Sequence, residues 1–155
     1  MENEDNAMNV KLYWENIIGY FEEEDWPLYE VNVWLHGESE TLSLSWYFQS
    51  SAPSSKRHLI LNLLNTLNYK LIMGKFAMNP EDGGLAFRIS ASVTGTRFST
   101  GYFESLWNWG IWRADEHYPK FMSLIYGDHT VDEVLEGKVE VSGKARRAGG
   151  AFRGR

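Results

Sequence analysis

The chain has 155 residues, enough for one domain with a sizeable hydrophobic core and too few for two ordinary domains. Hydrophobic residues make up 43% and charged residues 23%, which is typical of a globular protein rather than a disordered one. The absence of cysteine excludes disulfides, thiolate nucleophiles and thiolate metal ligands. No apolar run approaches the roughly 20 residues that cross a bilayer, and residues 1–9 have no signal-peptide pattern, so a cytoplasmic location is expected.

Charge is distributed unevenly along the chain, whose net charge is −6. Residues 1–25 contain eight acidic residues and one lysine, whereas residues 144–155 contain five Lys or Arg and no acid. We therefore expect a single domain over residues 1–136, followed by a flexible, basic Gly/Arg tail over residues 137–155.

The first part of the chain predicts a helix and then a hairpin. Apolar residues recur at helical spacing over residues 9–23, and Pro27 follows as a stop. Alternation of apolar residues over residues 29–35 and again over residues 42–48 has the period of half-buried strands. A turn at residues 36–39 joins these two strands.

A second helix and a second hairpin come next. Isoleucine and leucine follow the i, i+3, i+4 pattern over residues 60–71, and Ser54 or Ser55 is expected to cap this helix. Strands are predicted over residues 71–78 and 85–94, joined by a turn that contains an Asp-Gly pair.

The longest predicted element is a helix over residues 99–126, with Gly127 as its C-cap and a bend or interruption at Pro119. Its predicted inner face, at 100° per residue, comprises Phe103, Leu106, Trp107, Gly110, Ala114, Tyr118, Phe121, Leu124 and Ile125. A glycine on this face indicates close approach of the helix backbone to the sheet. Thr130 and Glu133 are spaced as a capping box and predict a further short helix.

The order helix, hairpin, helix, hairpin, long helix predicts an α+β domain. Two hairpins join naturally in one antiparallel sheet, with the amphipathic helices packed against one of its faces.

Two stretches resemble the YbjN-like family, which shares the fold of the type III secretion chaperones: LLNTLNYKLIMGKFAMNPEDGGLAFRISASVTG at residues 63–95 and ADEHYPKFMSLIYG at residues 114–127. The N-terminal helix and hairpin extend the resemblance to about residues 10–127. It implies an α+β fold with no accepted catalytic residues. Secretion chaperones of this fold are small, acidic, cytoplasmic and usually dimeric, and they hold an unfolded client segment. The basic Gly-rich tail departs from that pattern, and fold alone does not determine function.

The long helix carries a second apolar strip, formed by Tyr102, Trp109, Trp112 and Met122. A surface helix needs only one apolar face, so a second one indicates a second partner. We interpret the strip as a dimer seam or a groove for a client, with the tryptophans as anchors. The alternative is that the N-terminal helix or the segment after Gly137 covers it within the same chain.

No catalytic or metal site is predicted. The four histidines lie on different elements without i, i+4 spacing, and His117 beside Glu116 is expected to be a surface or boundary residue rather than a ligand. The acidic pair Glu81 and Asp82 lies in a turn, and no G-x-S-x-G, P-loop or G-x-G-x-x-G motif is present. We expect a protein that is not an enzyme and needs no cofactor.

RNA is the alternative partner. The tail contains Arg146, Arg147, Arg153 and Arg155 among glycines, and flexible Arg/Gly segments bind RNA through phosphate contacts and stacking. The acidic body would repel a duplex. The primary prediction is therefore a homodimeric protein-binding module, chaperone-like or regulatory, whose apolar helix strip and open sheet face contact the partner.

Overall fold

The computed structural model describes residues 29–94 and 99–137, and within these ranges the chain forms four strands and three α-helices. In chain order they are β1 (Tyr29–His36), β2 (Thr41–Ser51), α1 (Arg57–Lys70), β3 (Lys75–Met78), β4 (Gly84–Ser92), α2 (Thr100–Tyr126) and α3 (Val131–Leu135). The predicted helix over residues 9–23 and the basic tail from residue 138 onward lie outside the described residues.

The four strands form one antiparallel sheet in the order β1-β2-β4-β3. The two hairpins are therefore joined through β2 and β4, which confirms the predicted α+β architecture with helices packed against the sheet. At the centre of the sheet Trp46 of β2 lies opposite Val31 of β1 and Phe87 of β4. Leu44 and Trp46 are fully buried on the helix-covered face, and residues 41, 43 and 45 place hydroxyl side chains on the other.

Arg57 ties the start of α1 to both hairpins. Its guanidinium donates to the backbone carbonyls of Ala52, Pro80 and Glu81 at 3.0–3.3 Å. The predicted serine cap is wrong, because residues 54–56 form a 3-10 turn and Lys56 takes the N-cap position without a side-chain bond. A distant hairpin, rather than a local serine, thus fixes where α1 begins.

The long helix α2 begins at a true N-cap and runs without a break. The Ser99 hydroxyl accepts a hydrogen bond from the backbone N–H of Tyr102 at 3.2 Å. The helix continues through Pro119, so the expected interruption does not occur. Gly127 is the C-cap as predicted, and its N–H donates to the carbonyl of Ser123 at 2.9 Å.

The inner face of α2 packs over β2 and β4. The predicted residues on this face are buried except Tyr118, which is partly buried, and Ile111 joins them. The Trp46 ring lies so close beneath Gly110 that a Cβ added there would be 2.0 Å from Trp46 Cη2. The predicted close approach of helix backbone to sheet is therefore confirmed.

The short helix α3 carries the predicted capping box. The Thr130 hydroxyl accepts from the backbone N–H of Glu133, and the Glu133 carboxylate accepts from the backbone N–H of Thr130. Among the helices of residues 29–94 and 99–137, none combines the length and the hydropathy that crossing a bilayer requires.

Candidate protein-binding surface

Two tryptophans and an arginine form a cluster of contacting side chains on α2. The rings of Trp109 and Trp112 meet edge to face, with centroids 5.8 Å apart. The guanidinium carbon of Arg113 lies 4.5 Å from the Trp109 ring centroid and 4.3 Å from that of Trp112. Cation–π and edge-to-face contacts of this kind restrain all three side chains. Trp112 nevertheless remains 54% exposed, so the cluster presents an ordered indole to the surroundings.

The cluster is joined to the end of α1 by a hydrogen bond. Trp109 Nε1 donates to the backbone carbonyl of Met73 at 3.2 Å, and Trp109 is partly buried against the core. Trp109, Trp112 and Arg113 together with the backbone of Met73 therefore form one surface across two adjacent segments, which we call the Trp112 patch.

The other two residues of the predicted strip lie elsewhere on α2. Tyr102 precedes Trp109 by seven residues, which places it on the same side of the helix about 10 Å away along the axis. Met122 follows Tyr118 by four residues and Asp115 by seven, and both of these contact Tyr29 of β1. Met122 therefore belongs to the flank of α2 that faces β1, whereas Trp109 is on the flank that faces the end of α1.

His117 is buried rather than placed at the surface, which corrects the sequence-based expectation. Its side chain is only 7% exposed and meets the Phe76 ring edge to face at 5.4 Å. Helical spacing puts His117 at the edge of the apolar face, and it is enclosed because Phe76 of β3 packs against this side of α2. The Lys120 ammonium lies 3.1 Å from His117 Nδ1, and because an ammonium only donates, Nδ1 is the acceptor.

Burial and the neighbouring cations keep His117 neutral. Desolvation, then the charge of Lys120, lowers the pKa of His117 to about 4, while Glu116 acts in the opposite direction and Arg113 adds to the lowering. Arg113 itself pairs with Glu116 at 2.6 Å. This flank of α2 thus carries a row of alternating charges formed by Lys120, Glu116 and Arg113, and Arg113 belongs to the Trp112 patch.

Because of His117, we expect the free energy of unfolding to decrease as the pH is lowered from about 6.5 to about 4. A histidine whose pKa is lower in the folded state stabilises the fold fully above its unfolded pKa of about 6.5, and this is lost as the pH falls towards the folded pKa. The loss is on the order of 1–3 kcal/mol. Urea unfolding of the wild type and of His117→Phe at several pH values should show a shallower pH dependence for the variant.

The comparison of the wild type with His117→Phe isolates the contribution of the His117 side chain to the pH dependence of stability. Burial also raises the pKa of Asp115, which has its own effect on acid stability, but this carboxyl is common to both proteins and cancels in the difference. Identical pH dependences in wild type and variant would show that His117 is not the group responsible.

A buried hydrogen bond connects the other flank of α2 to the sheet. The Tyr29 hydroxyl donates to Asp115 Oδ1 at 2.7 Å, and burial raises the pKa of both groups. The bond to Tyr29 opposes the shift of Asp115, since it stabilises the carboxylate. The pair joins the start of β1 to α2 and gives the partly buried carboxyl of Asp115 a hydrogen-bond donor.

The acidic and histidine side chains of the described residues do not converge on a metal site. Within residues 29–94 and 99–137 no group of three or more His, Asp or Glu side chains could hold a metal ion. The turn acids Glu81 and Asp82 are exposed, and the Asp82 carboxylate accepts from the backbone N–H of Gly84 at 2.7 Å. Their arrangement is that of a turn, with Asp82 bonded to its own backbone.

A protein-family comparison identifies the relatives of this chain. The family model described as "YbjN: Putative bacterial sensory transduction regulator" matches residues 23–122, which is more than half of the sequence. The chain belongs to the YbjN family. No curated protein and no solved structure matches it.

The matched region of this YbjN protein contains the whole sheet, α1 and most of α2. The Trp112 patch lies inside it, whereas α3 and residues 123–155 lie beyond it. The family description concerns regulation and supports a non-catalytic regulatory or binding role. The predicted membership, made from residues 63–95 and 114–127, is confirmed.

The sequence patterns do not identify Arg113 as part of the Trp112 patch, although a cation one residue after one tryptophan and four after another can reach both rings on a helix. The sequence predicts Ile72 within a strand, whereas it lies in the loop between α1 and β3 and is exposed. The predicted RNA-binding arginines lie outside the described residues.

Proposed function

We propose that this YbjN protein is a non-catalytic regulatory module that binds a partner protein through the Trp112 patch. The observation that carries the proposal is an exposed indole that contacts a second tryptophan ring and a guanidinium lying over both rings. Binding costs less entropy when the contact residue is already ordered, so a restrained aromatic is an efficient anchor.

The charges around the patch favour an apolar contact rather than a salt-dependent one. The Arg113 charge is compensated by Glu116 at 2.6 Å, so the guanidinium acts mainly as a flat surface beside the indoles. Tryptophan and arginine are the residue types enriched at the energetic centres of interfaces. The partner that fits is a protein segment that inserts an apolar side chain beside Trp112.

The finer parts of the proposal follow from the sequence. A cytoplasmic location, assembly of two copies and chaperone-like holding of an apolar client segment agree with the absence of cysteine, the acidic body and the family resemblance. The family description, which concerns signal transduction, favours regulation over secretion as the setting for such binding.

Replacement of Trp112 by alanine is expected to abolish partner capture while the fold is kept. Truncation of an interface anchor costs about 2 kcal/mol or more, so the affinity for the isolated partner should fall by about 30-fold or more. The exposed position of Trp112 limits the loss of folding stability to about 1 kcal/mol. The measurement is cross-linked pull-down from host lysate with RNase, followed by titration of the captured protein.

Tyr126→Ala is the matched control, because Tyr126 is an exposed aromatic of the same helix, about 20 Å beyond Trp112. Proteins captured by the wild type and by Tyr126→Ala but not by Trp112→Ala would support the proposal. Equal capture by all three would contradict it. Capture of RNA-linked proteins that RNase removes, and that deletion of residues 144–155 abolishes, would instead establish the basic tail as the functional segment.

A further inference from the structure

In the part of the chain that the structure describes, β1 is an edge strand of the sheet. Within residues 29–94 and 99–137, β2 is the only strand beside β1, and it pairs with all eight residues of β1. Half of the backbone N–H and C=O groups of an edge strand point away from its neighbour. The outward groups of β1 therefore have no strand to pair with in this part of the protein, and such a row is a template for another strand.

The opposite edge of the sheet is blocked. The Asn68 side chain of α1 accepts from the backbone N–H of Phe76 at 2.8 Å and donates to the carbonyl of Phe76 at 2.9 Å. The strand β3 is also only four residues long, begins with Lys75 and is followed closely by Pro80. Short length, lysine, proline and covering side chains are the usual protections of an edge.

Strand β1 lacks these protections within the strand itself, although Pro27 lies two residues before its start, as Pro80 lies two residues after the end of β3. It has eight residues, contains no lysine or proline, and pairs with β2 without a bulge. The side chains that it directs towards the helices, Val31, Val33 and Leu35, remain half-buried, because α2 packs mainly over β2 and β4. An added strand would cover both the backbone edge and part of these apolar side chains.

The sequence of β1 is complementary to itself in one antiparallel register. With a two-fold axis at Val33, Val31 lies opposite Leu35 and Glu30 lies opposite His36 of the other copy. Residues opposite each other in an antiparallel pair share a face of the sheet, so the aliphatic side chains meet on the helix side. Each imidazole offers an N–H donor to the facing carboxylate, and the symmetry produces this contact twice.

The neighbouring symmetric registers lack this match. An axis at Asn32 puts Glu30 opposite Trp34, and an axis at Trp34 puts Glu30 beyond the end of the facing strand. Only the Val33 register places an imidazole opposite the Glu30 carboxylate and at the same time pairs the aliphatic side chains with one another. The Val33 register therefore uses the polar and the apolar residues of β1 together.

We propose that two copies of this protein pair through β1, antiparallel about Val33, to form one continuous eight-stranded sheet. The occupant of the β1 edge is thus a second copy of the same chain. The interface is separate from the Trp112 patch on the helix layer and does not depend on the proposed function of that patch. A dimer built in this way leaves both Trp112 patches open for partners.

Cysteine trapping tests the register directly, because the full chain contains no cysteine. The variants Glu30→Cys and His36→Cys are prepared separately, mixed in equal amounts and oxidised mildly. Facing Cβ atoms lie about 5 Å apart, within reach of a disulfide after small adjustment. We expect rapid formation of the mixed disulfide dimer, identified by intact mass, and a concentration-dependent dimer in sedimentation of the wild type.

Each variant alone is the control. In a dimer of Glu30→Cys the two cysteines are six residues out of register, roughly 20 Å apart, and do not form a disulfide within the dimer. The inference is overturned by a wild type that stays monomeric up to high micromolar concentration, as it would if another segment of the same chain covered β1. It is also overturned if the mixture cross-links no faster than either variant alone.

Trp112→Ala separates this inference from the proposed function. The variant should keep the dimer and the mixed disulfide while it loses the partner. Dissociation of the dimer on this change would place the seam at the Trp112 patch and refute pairing through β1. Retention of the dimer together with unchanged partner capture would refute the proposed function and leave the β1 seam standing.

Discussion

Replacement of Gly110 by alanine should destabilise the protein by about 2–4 kcal/mol, even though alanine is the better helix former by about 1 kcal/mol. A methyl group at this position would lie 2.0 Å from Cη2 and 2.3 Å from Cζ3 of Trp46. The Trp46 ring is fully buried and packs against Trp107 and Phe87, with centroids 5.4 and 6.1 Å away, so it cannot move aside cheaply. The loss is a large share of the stability of an ordinary domain. Urea unfolding measures it.

Gly101→Ala is the matched control for this change. Gly101 lies in the first turn of the same helix, and a Cβ added there would have nothing within 4 Å. The control should be neutral or slightly stabilising, because only the helix propensity changes. Equal effects of the two substitutions would contradict the close contact between α2 and Trp46. Partial rescue of Gly110→Ala by Trp46→Phe would support it.

Gly83→Ala is expected to cost about 3 kcal/mol or more, for two reasons that add. Gly83 has a φ of +78°, a conformation that a residue with a Cβ rarely adopts, and the added Cβ would lie 2.2 Å from the backbone carbonyl oxygen of Ala52. The Gly83 carbonyl also accepts from the Ala52 N–H at 2.9 Å, so relief of the clash would break a contact between the two hairpins. Thermal and urea unfolding both report the loss.

Gly37→Ala tests whether this cost is specific to the geometry of Gly83. Gly37 lies in the turn between β1 and β2, its φ is not positive, and a Cβ there would meet nothing within 4 Å. We expect a change within about 0.5 kcal/mol. A loss at Gly37 as large as that at Gly83 would mean that loss of glycine itself, rather than the contact with Ala52, explains the effect.

The two proposed contact surfaces use different parts of one scaffold. The Trp112 patch lies on the helix layer, where α2 meets the end of α1, and the β1 edge lies at the limit of the sheet. The close contact between Gly110 and Trp46 packs α2 against the sheet, and Trp46 lies opposite Val31 of β1. Both surfaces therefore belong to the same packed unit. A regulator built in this way can bind itself through backbone hydrogen bonds and a partner through side chains.

Local patterns predicted the elements of this protein well. The alternation from Tyr29 to Leu35, the Asp-Gly turn before β4 and the capping box of Thr130 and Glu133 all correspond to observed structure. Each depends on residues within a few positions of one another, so the physical cause is contained in the local sequence. The end of α2 at Gly127 belongs to the same class.

The predictions that were wrong concern residues for which contacts with distant parts of the chain override the local conformational preference. Ser54 and Ser55 are good caps by type, but the contacts of Arg57 with the far hairpin set the start of α1. Pro119 does not end α2, since packing over β2 and β4 maintains the helix on both sides of it. His117 is enclosed by Phe76, which comes 41 positions earlier.

The amino-acid sequence by itself predicted the α+β class and the presence of tryptophans beyond those that the core needs, because periodicity and composition are local properties. It predicted the family through the resemblance carried by residues 63–95 and 114–127. The tertiary structure alone decided which of those tryptophans share a surface. It separated Met122 from Trp109 on opposite flanks of α2 and brought Met73 beside Trp109. Within residues 29–94 and 99–137 it also decided that β1 and β3 are the two edge strands and that Asn68 closes the edge of β3, because strand order depends on pairing between segments far apart in the chain.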